Sequence, residues 1–420
     1  MRGGVAVSED REYYDELEVR SISKRQDAEA RDLARQVAYA KENAPYYREL
    51  LADVDPAAIT TRAALARLPI TRKSDLKDIQ MRHAPFGGLN GWEVCRFAHI
   101  YQSPGPIYEP DSDRADHWRF ARSLWAAGVR PGMIVHNTFS YHLTPAGMII
   151  ESGARAIGCP VIPGGVGNTE LQAEAIADLR PAAYCGTPSF LRILLAKGRE
   201  TGADMSSLKV AVVGGEALPP SLRKEINDLG VFVLQNYGTA DLGLVAYESR
   251  AMEGMIVDEG VVLEIVRPGT GDPVADGDVG EVVVTTFNPV YPLIRFATGD
   301  LSAVLAGSSP CGRTNMRIKG WMGRADQATK VKGMFVHPSH VAQVIERHPE
   351  IVNARLEVES HDNIDEMTLR CEVNAGDATL AAAIATSMQS VCKVRGRVAL
   401  VVPGELPNDG KVIADLRSYR

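Results

Sequence analysis

The chain has 420 residues, of which 45% are apolar and 24% are charged, and its formal net charge is -7. This length allows a large domain and a small one, and the composition excludes a disordered or fibrous protein. The acidic balance argues against a protein that binds the phosphate backbone of nucleic acids, because such binding requires a basic surface.

No segment has the length and apolar content of a signal peptide or a membrane-spanning helix, so the sequence predicts a cytoplasmic protein without a membrane partner. The six cysteines are scattered along the chain and form no CxxC pair. Their spacing predicts reduced thiols and no structural zinc.

The first predicted element is a helix over residues 27–51, in which apolar residues recur at helical spacing. Pro45 should break it near its end, because proline lacks the amide that a helix needs. Helices then alternate with short apolar strands. The predicted helices cover 118–127, 144–157, 170–179, 189–199 and 221–229, and the predicted strands cover 133–137, 160–162, 182–185, 210–213 and 231–235. This alternation predicts parallel strands joined by right-handed crossovers.

After residue 259 the pattern becomes β-rich, and the C-terminal segment predicts a compact α+β module. The predicted elements there are strands at 261–266, 281–286, 352–359, 366–374 and 398–401 and helices at 338–347 and 378–392. We therefore expect an α/β protein with a large N-terminal domain, residues 1–322, made of parallel α/β subdomains plus a β-rich subdomain. A small mobile C-terminal α+β domain, residues 323–420, should turn on a hinge near Asp326.

Ligands of parallel sheets collect beyond the carboxyl ends of the strands. Three polar or glycine-rich segments follow predicted strands at this edge: Gly186–Pro188, Gly214–Glu216 and Tyr237–Thr239. The loop Asn236–Asp241 adds a carboxylate to an aromatic ring and backbone amides. Such a loop contains the parts for stacking on a base and for holding a magnesium ion.

The turn Thr298–Asp300 can present a carboxylate to two vicinal hydroxyl groups, as in ribose, although a Gly-Asp turn alone is common on surfaces. The segment Gly323–Asp326 follows it, and then Lys330 and Lys332, which either contact a ligand or are solvated. Lys411 lies in a flexible turn near the end of the chain, where a lysine is usually solvated.

Taken in order, these segments resemble the adenylate-forming superfamily of acyl-CoA synthetases, and within it the phenylacetate-CoA ligase family most closely. The combination is specific although each part is not. Further segments that carry the resemblance are residues 44–48, 68–76, 141–147, 161–163, 167–172, 187–189 and 214–216.

The resemblance implies that the chain uses ATP and Mg²⁺ to convert a small aromatic carboxylic acid to acyl-AMP and then transfers the acyl group to coenzyme A. It implies that Asp300 and Arg324 hold the ribose and that Asp326 is the pivot of the small domain. Lys411 matches the catalytic lysine, a cation that stabilises charge on the transferring phosphoryl group. The remaining nucleotide-binding residues it implies are Gly214, Gly215, Glu216, Asn236, Tyr237, Gly238 and Thr239.

The sequence departs from the family in its phosphate-binding loop, which there is rich in Ser, Thr and Gly and is followed by a lysine. The matching residues here are 101–110, and three prolines each remove an amide donor: Pro104, Pro106 and Pro110. Glu109 should place a negative charge near the phosphates. Ser103 and Gly105 remain, and either a residual phosphate-binding role or a plain loop is open.

A second departure is Asp241, where the family usually has a glutamate as the magnesium ligand. The shorter side chain keeps the charge but loses about one methylene of reach, so the ion must shift or bind through water.

The loop that contains Phe139, Tyr141 and His142 lies between a predicted strand and a predicted helix, and it resembles the aromatic segment of the family's acid pocket. Aromatic rings there would suit a flat acyl group. The alternative is that Phe139 and Tyr141 belong to the core and that His142 is a satisfied surface histidine.

Two other functions stay open. The acyl group could pass to a carrier-protein thiol or an amine in place of coenzyme A, because the acceptor channel has no short signature. A non-catalytic homologue could instead bind acyl-CoA or a nucleotide, which the altered loop 101–110 favours. Against it stand polar groups that binding alone does not require together: Asp241, Asp300, Arg324 and Lys411. A homodimer is compatible with the sequence.

Overall fold

The computed structural model describes residues 12–216, 218–325, 329–331, 334–336, 338–361, 364–407, 409 and 411–417. The chain forms two compact units. The first runs to Glu264 and includes Val283–Thr298 and Val304–Trp321, and the second comprises Ile265–Val282, Gly299–Ala303 and the chain from Met322 onward. The division near residue 323 and the mobility of the small domain stay predictions, and Asp326 and Lys332 lie outside the described residues.

A proline ends the first long helix, as the sequence predicts. Helix α1 spans Ile22–Asn43, and α2, Pro45–Leu50, begins with Pro45 at its first position, where the missing amide costs no hydrogen bond. The other helices of the first unit are α3 (Arg62–Leu65), α4 (Leu76–Arg82), α5 (Ala121–Ala127), α6 (Ala146–Ile157), α7 (Thr169–Leu179), α8 (Pro188–Thr201) and α9 (Pro220–Asp228). Among the described residues, no helix is long and apolar enough to cross a membrane.

Parallel strands form the centre of the first unit. Along the chain the strands are β1 (Thr71–Arg72), β2 (Ile100–Ser103), β3 (Ile107–Pro110), β4 (Val135–Asn137), β5 (Val161–Pro163), β6 (Ala183–Gly186), β7 (Val210–Val213), β8 (Phe232–Thr239), β9 (Gly243–Glu248), β10 (Met255–Val257), β11 (Val261–Val266), β12 (Val279–Thr286), β13 (Phe296–Leu305) and β14 (Arg317–Ile318). Strands β5, β4, β6, β7 and β8 lie side by side in that order, and every one of these pairs is parallel. The predicted α/β alternation is confirmed.

Both faces of this sheet are buried. Val210 and Val212 belong to one apolar cluster, with Trp125 among others, whereas Ala211 and Val213 belong to a second cluster. Successive residues of a strand point to opposite faces, so helices must cover the sheet on both sides. Beyond β8 the pairing becomes antiparallel, from β8 to β9, β10 and β14.

The C-terminal part of the second unit is an α+β module, as predicted. Its elements are β15 (Thr329–Val331), β16 (Met334–Val336), α10 (Pro338–Arg347), β17 (Ile351–His361), β18 (Ile364–Val373), α11 (Ala378–Cys392), β19 (Arg397–Val401) and β20 (Ile413–Asp415). Four strands form a sheet in the order β19-β18-β17-β20. Leu356 and Leu369 of this sheet pack with Ile384 of α11 in one core.

Candidate active site

Loops from three neighbouring parallel strands meet at the carboxyl edge of the sheet. Gly215 follows β7 with a left-handed backbone (φ +76°). The Cβ of a residue placed there would lie 3.6 Å from Phe139 Cε1 and 3.9 Å from Thr187 Cγ2, so the loops after β4 and β6 border the same point. The structure thus brings together Phe139 and Gly215, which the sequence assigned separately to acid and nucleotide.

Gly214 and Asn236 fit against each other at the ends of β7 and β8. Asn236 Nδ2 donates to the carbonyl of Val213 at 3.0 Å, and a Cβ on Gly214 would come within 2.5 Å of Asn236 Oδ1. A side chain at position 214 would therefore displace Asn236. Glu216 is exposed, and its backbone carbonyl accepts from Gln235 Nε2 at 3.3 Å.

The end of β8 is tightly packed. The Tyr237 ring is 8% exposed, and its hydroxyl donates to Thr298 Oγ1 at 3.2 Å. The hydroxyl of Thr239 accepts from the backbone amide of Leu242 at 3.2 Å, which shapes the turn into β9. A Cβ on Gly238 would lie 2.5 Å from the carbonyl of Gly243, so this position admits only glycine without a backbone shift.

Asp241, the predicted magnesium ligand, lies buried in the turn between β8 and β9 and is 1% exposed. Its Oδ2 forms an ion pair with Lys73, whose side chain is 25% exposed. Its Oδ1 has no hydrogen-bond partner among the described residues. Lys73 belongs to the segment 68–76, which carried the family resemblance, but sequence reasoning assigned no role to Lys73, because 168 residues separate it from Asp241.

Residues 101–110 form a tight hairpin. Strands β2 and β3 pair antiparallel from Ile100 opposite Pro110 to Ser103 opposite Ile107. The Ser103 hydroxyl donates to Glu109 Oε1, and Ser103 is 5% exposed. Gly105 lies exposed in the turn. A phosphate-binding role of Ser103 and Gly105 stays a prediction.

Glu109 is fully buried. Burial, and next the negative charge of Asp241, raise the pKa of Glu109 to about 8, whereas the Ser103 hydroxyl and Lys73 lower it. At neutral pH the carboxyl therefore carries its proton, and the negative charge that the sequence led us to expect at this position is not presented.

The loop after β4 holds the predicted acid pocket. Asn137 Nδ2 donates to Tyr141 Oη at 2.8 Å and to the carbonyl of Gly147 at 2.9 Å. A Cβ on Gly147 would lie 2.8 Å from the Tyr141 ring, so the ring rests on the first turn of α6. Phe139 and Tyr141 are half-buried, and His142 is exposed. The sequence did not predict a role for Asn137, because this residue is the last of a predicted strand and nothing in the local pattern sets it apart.

Asp300 and Arg324 form the predicted ribose pair, and both lie in the second unit. Arg324 Nη1 donates to Asp300 Oδ1 at 3.1 Å, and the two backbones form a β-bridge. Asp300 is 8% exposed and the Arg324 side chain is 44% exposed. Gly299 has φ +76°, and a Cβ there would meet Arg324 Nη2 at 2.7 Å. The glycine of this turn is thus needed for the pair to form.

Lys411 has an exposed side chain in the second unit, ahead of β20. Its backbone amide donates to Asp409 Oδ1 at 3.0 Å, and Asp409 is paired with Arg355 at 2.6 Å. The turn is therefore fixed by Arg355 on β17, while the ammonium group extends into solvent. Its catalytic role stays a prediction.

Comparison with known proteins identifies the class. The sequence profile described as AMP-binding enzyme matches residues 140–288. A solved structure of 2-hydroxyisobutyryl-CoA ligase, in an open conformation with 2-HIB-AMP and CoA, superposes with a TM-score of 0.73 at 25% identity, covering 97% of this chain and 96% of that one. The fold and the profile are those of adenylate-forming acyl-CoA ligases.

Two curated relatives define the family. The phenylacetate-coenzyme A ligase of Thermus thermophilus is 35% identical over 382 residues, which cover 86% of this chain and 84% of the relative. The phenylacetate-coenzyme A ligase of Escherichia coli is 31% identical over 388 residues, or 87% and 86% of the two chains. This chain belongs to the phenylacetate-CoA ligase family. The predicted resemblance, fold class and enzyme class are confirmed, whereas the roles of individual residues stay predictions.

Proposed function

We propose that this chain joins a small aromatic carboxylic acid to coenzyme A through an acyl-AMP intermediate, with ATP and Mg²⁺ as cofactors. The observation that carries the proposal is the convergence of Phe139, Thr187 and Gly215 at one sheet edge. This convergence supports adjacent binding positions for the acid and the nucleotide, at the sheet edge where ligands of parallel sheets bind. Family membership supports the same reaction class.

In the first half-reaction, a carboxylate oxygen of the acid attacks the α-phosphorus of ATP, and the bond from that phosphorus to the pyrophosphate oxygen breaks. The products are acyl-AMP and pyrophosphate. The ammonium group of Lys411 stabilises the negative charge on the transferring phosphoryl oxygens and draws in the carboxylate. The acid lies against the rings of Phe139 and Tyr141, with His142 at the mouth of the pocket.

In this proposal, separate segments of the chain bind the ribose and the rest of the nucleotide. Asp300 accepts hydrogen bonds from the ribose hydroxyls, and Arg324 orients that carboxylate. The adenine and α-phosphate contact the loop after β7 and the carboxyl end of β8, that is, Gly214, Gly215, Glu216, Asn236, Tyr237, Gly238 and Thr239.

A bound magnesium ion would neutralise charge on the phosphate oxygens. The residues present fit such an ion, because Asp241 has a buried carboxylate oxygen that no described donor satisfies. This orphaned acceptor favours a cation at Asp241 over a purely structural role.

In the second half-reaction, the thiol sulfur of coenzyme A attacks the acyl carbon and the thiol proton is lost to solvent. The bond between the acyl carbon and the phosphate oxygen of AMP then breaks, and AMP leaves. Rotation of the small domain about Asp326 would remove Lys411 and bring in Lys330 or Lys332 for this step. We expect the reaction in the cytoplasm, where ATP and coenzyme A are available.

One observation favours a second function, in which the chain only binds acyl-CoA or a nucleotide. The hairpin β2–β3 commits the Ser103 hydroxyl to Glu109, so this loop offers few donors to the β- and γ-phosphates. Catalysis then depends on donors from other elements.

Product analysis separates these functions and the acceptors. The intact protein is incubated with ATP, Mg²⁺ and a panel of benzoic, arylacetic and aliphatic acids, with coenzyme A, an amine or no acceptor, and products are identified by mass spectrometry. We expect the CoA thioester of an aromatic acid together with AMP. Acyl-AMP without thioester would point to a carrier protein or amine as the acceptor, and binding of acyl-CoA without AMP formation would support the binding function.

A further inference from the structure

Two buried carboxyl groups lie at the base of the proposed phosphate site, on separate elements. Glu109, on β3, is 0% exposed, and Asp241, after β8, is 1% exposed. Each has one satisfied oxygen: Glu109 Oε1 accepts from Ser103, and Asp241 Oδ2 is paired with Lys73. Each also has one oxygen, Oε2 and Oδ1 respectively, that is buried without a partner in the described part of the chain.

An unsatisfied buried acceptor costs about 1–3 kcal/mol, more when it is charged, and native proteins carry few. Among the described residues, these two are the only carboxylate oxygens that are buried without a hydrogen-bond partner. The carboxyl groups interact electrostatically with each other and with the fully buried phenol of Tyr291. The orphaned oxygens thus belong to one buried cluster of acidic groups.

A cation already lies at this site in the form of the Lys73 ammonium group, which pairs with Asp241 and acts electrostatically on Glu109. Its side chain is one quarter exposed, so it reaches the pair from the solvent side. The Lys73 side chain is more exposed than the arginines that hold Glu264 and Asp258, and its ammonium group is a point charge without the fork geometry of a guanidinium. A divalent cation can therefore replace it as the counter-ion.

We propose that Glu109 and Asp241 together bind the divalent cation of the reaction through Oε2 and Oδ1, with Lys73 as the counter-ion that the metal displaces. Oxygen ligands of this kind suit Mg²⁺ and Mn²⁺. The inference rests on the proposed function for the identity of the metal. A second carboxylate would anchor the cation, and through it the phosphates, where the hairpin lacks amide donors.

The test measures metal binding without turnover. Mn²⁺ affinity is determined by electron paramagnetic resonance for the intact protein and for Glu109→Gln, Asp241→Asn and Lys73→Met, with and without a non-hydrolysable ATP analogue. Asp111→Asn is the matched control, since Asp111 follows β3 directly, is 4% exposed and bonds to Tyr101 and His99. Circular dichroism and thermal melting verify folding.

We expect the Glu109 and Asp241 variants each to weaken Mn²⁺ binding at least about tenfold, because each removes a carboxylate ligand. In Glu109 that carboxylate forms when the incoming cation displaces the carboxyl proton. Lys73→Met should tighten it, because the competing counter-ion is gone, and Asp111→Asn should leave it unchanged. Glutamine has the shape of a protonated glutamate and should be tolerated; if Glu109→Gln does not fold, Glu109→Asp replaces it, with the same weakening expected.

Wild-type affinity in the Glu109 variant would overturn the proposal, as would the absence of Mn²⁺ binding to the intact protein in both conditions. The outcome is independent of the proposed function. A protein that binds Mn²⁺ through both carboxylates but forms no acyl-AMP would support the metal site and contradict the proposed function. A protein that forms acyl-AMP, and whose Mn²⁺ affinity is unchanged in Glu109→Gln, would support the proposed function and contradict the metal site.

Discussion

The side-chain amide of Asn137 donates to the phenol oxygen of Tyr141 at 2.8 Å, and this bond fixes the ring over Gly147. Burial and the neighbouring Glu151 raise the pKa of Tyr141, so the phenol stays protonated at the wall of the proposed acid pocket. If the acid binds against Tyr141, as proposed, Asn137 sets the position of that ring without needing to contact the acid itself.

Replacing Asn137 by Ala should release the Tyr141 ring from its hydrogen bond and reduce the selectivity of the enzyme among carboxylic acids. We expect the kcat/KM ratio between preferred and non-preferred aromatic acids to fall about tenfold, within the 1–3 kcal/mol that pocket contacts supply, while KM for ATP changes little. Asn315→Ala is the control, because its amide likewise donates to a backbone carbonyl, that of Val257. An equal loss for all acids and for ATP would contradict a positioning role.

Asp300→Asn should weaken nucleotide binding by removing a charged acceptor of the ribose hydroxyls. A hydrogen bond to a charged group is worth about 1.5–3 kcal/mol, so we expect a rise of roughly tenfold to hundredfold in KM for ATP. The sharper measurement compares ATP with 2′,3′-dideoxy-ATP. The intact enzyme should prefer ATP and the variant should lose that preference; a variant that keeps it would show that Asp300 does not hold the ribose.

The free energy of unfolding should fall on acidification because of the buried residue His117. It is 8% exposed. Its Nδ1 lies near Ser112 Oγ, and its Nε2 lies near Asn288 Nδ2. Burial, with Arg119 and Arg114, lowers the pKa of His117 to about 3. A group whose folded pKa is depressed contributes stability above its unfolded pKa near 6.5, and that contribution is lost as pH falls toward 3.

From pH 8 to pH 5 this single group should cost about 2 kcal/mol of unfolding free energy. Urea unfolding at several pH values checks it: His117→Gln should reduce the pH dependence by that amount, whereas His83→Gln, at an exposed position, should not. Equal pH dependence in the intact protein and the His117 variant would disprove the assignment.

Glu264→Gln should destabilise the first unit strongly. Glu264 and Arg295 are 6% and 3% exposed in their side chains, and Arg295 also donates to the carbonyls of Ala66 and Leu68. Breaking a buried pair leaves an uncompensated charge at a cost of about 3–5 kcal/mol. Glu200→Gln, which breaks a surface pair with Lys197, should cost under about 1 kcal/mol in the same urea unfolding experiment. Similar losses would show that Arg295 is not desolvated.

The spacing of apolar residues along the chain predicted several helices and strands with their correct bounds. The strand at 210–213 and the helices at 338–347 and 378–392 have the predicted bounds. Helix α1 begins earlier than predicted because Ser21 caps it by accepting from the amide of Lys24 at 3.3 Å, a signal outside the apolar pattern.

The contacts of the candidate site were harder to predict from the sequence, because they join segments that are far apart along the chain. The approach of Phe139 to Gly215 followed from parallel strands ending at one edge, and could be predicted. The ion pair of Lys73 and Asp241 could not, since no local pattern encodes a contact across 168 residues. The environment of Glu109 depends on the tight hairpin, whose burial of this carboxyl removes the charge that its residue type suggests.

Pyrophosphate release from ATP, with Mg²⁺ and an aromatic acid, decides whether this chain adenylates a carboxylic acid and whether Lys411 is required. It is measured for the intact protein, for Lys411→Ala and for Lys224→Ala. Lys224 is the control because it is a surface lysine paired with Asp228 on α9. We expect acid-dependent release by the intact protein and the Lys224 variant and a loss of at least about a hundredfold in the Lys411 variant. Release that is undiminished in Lys411→Ala, or absent from the intact protein with every acid, would contradict it.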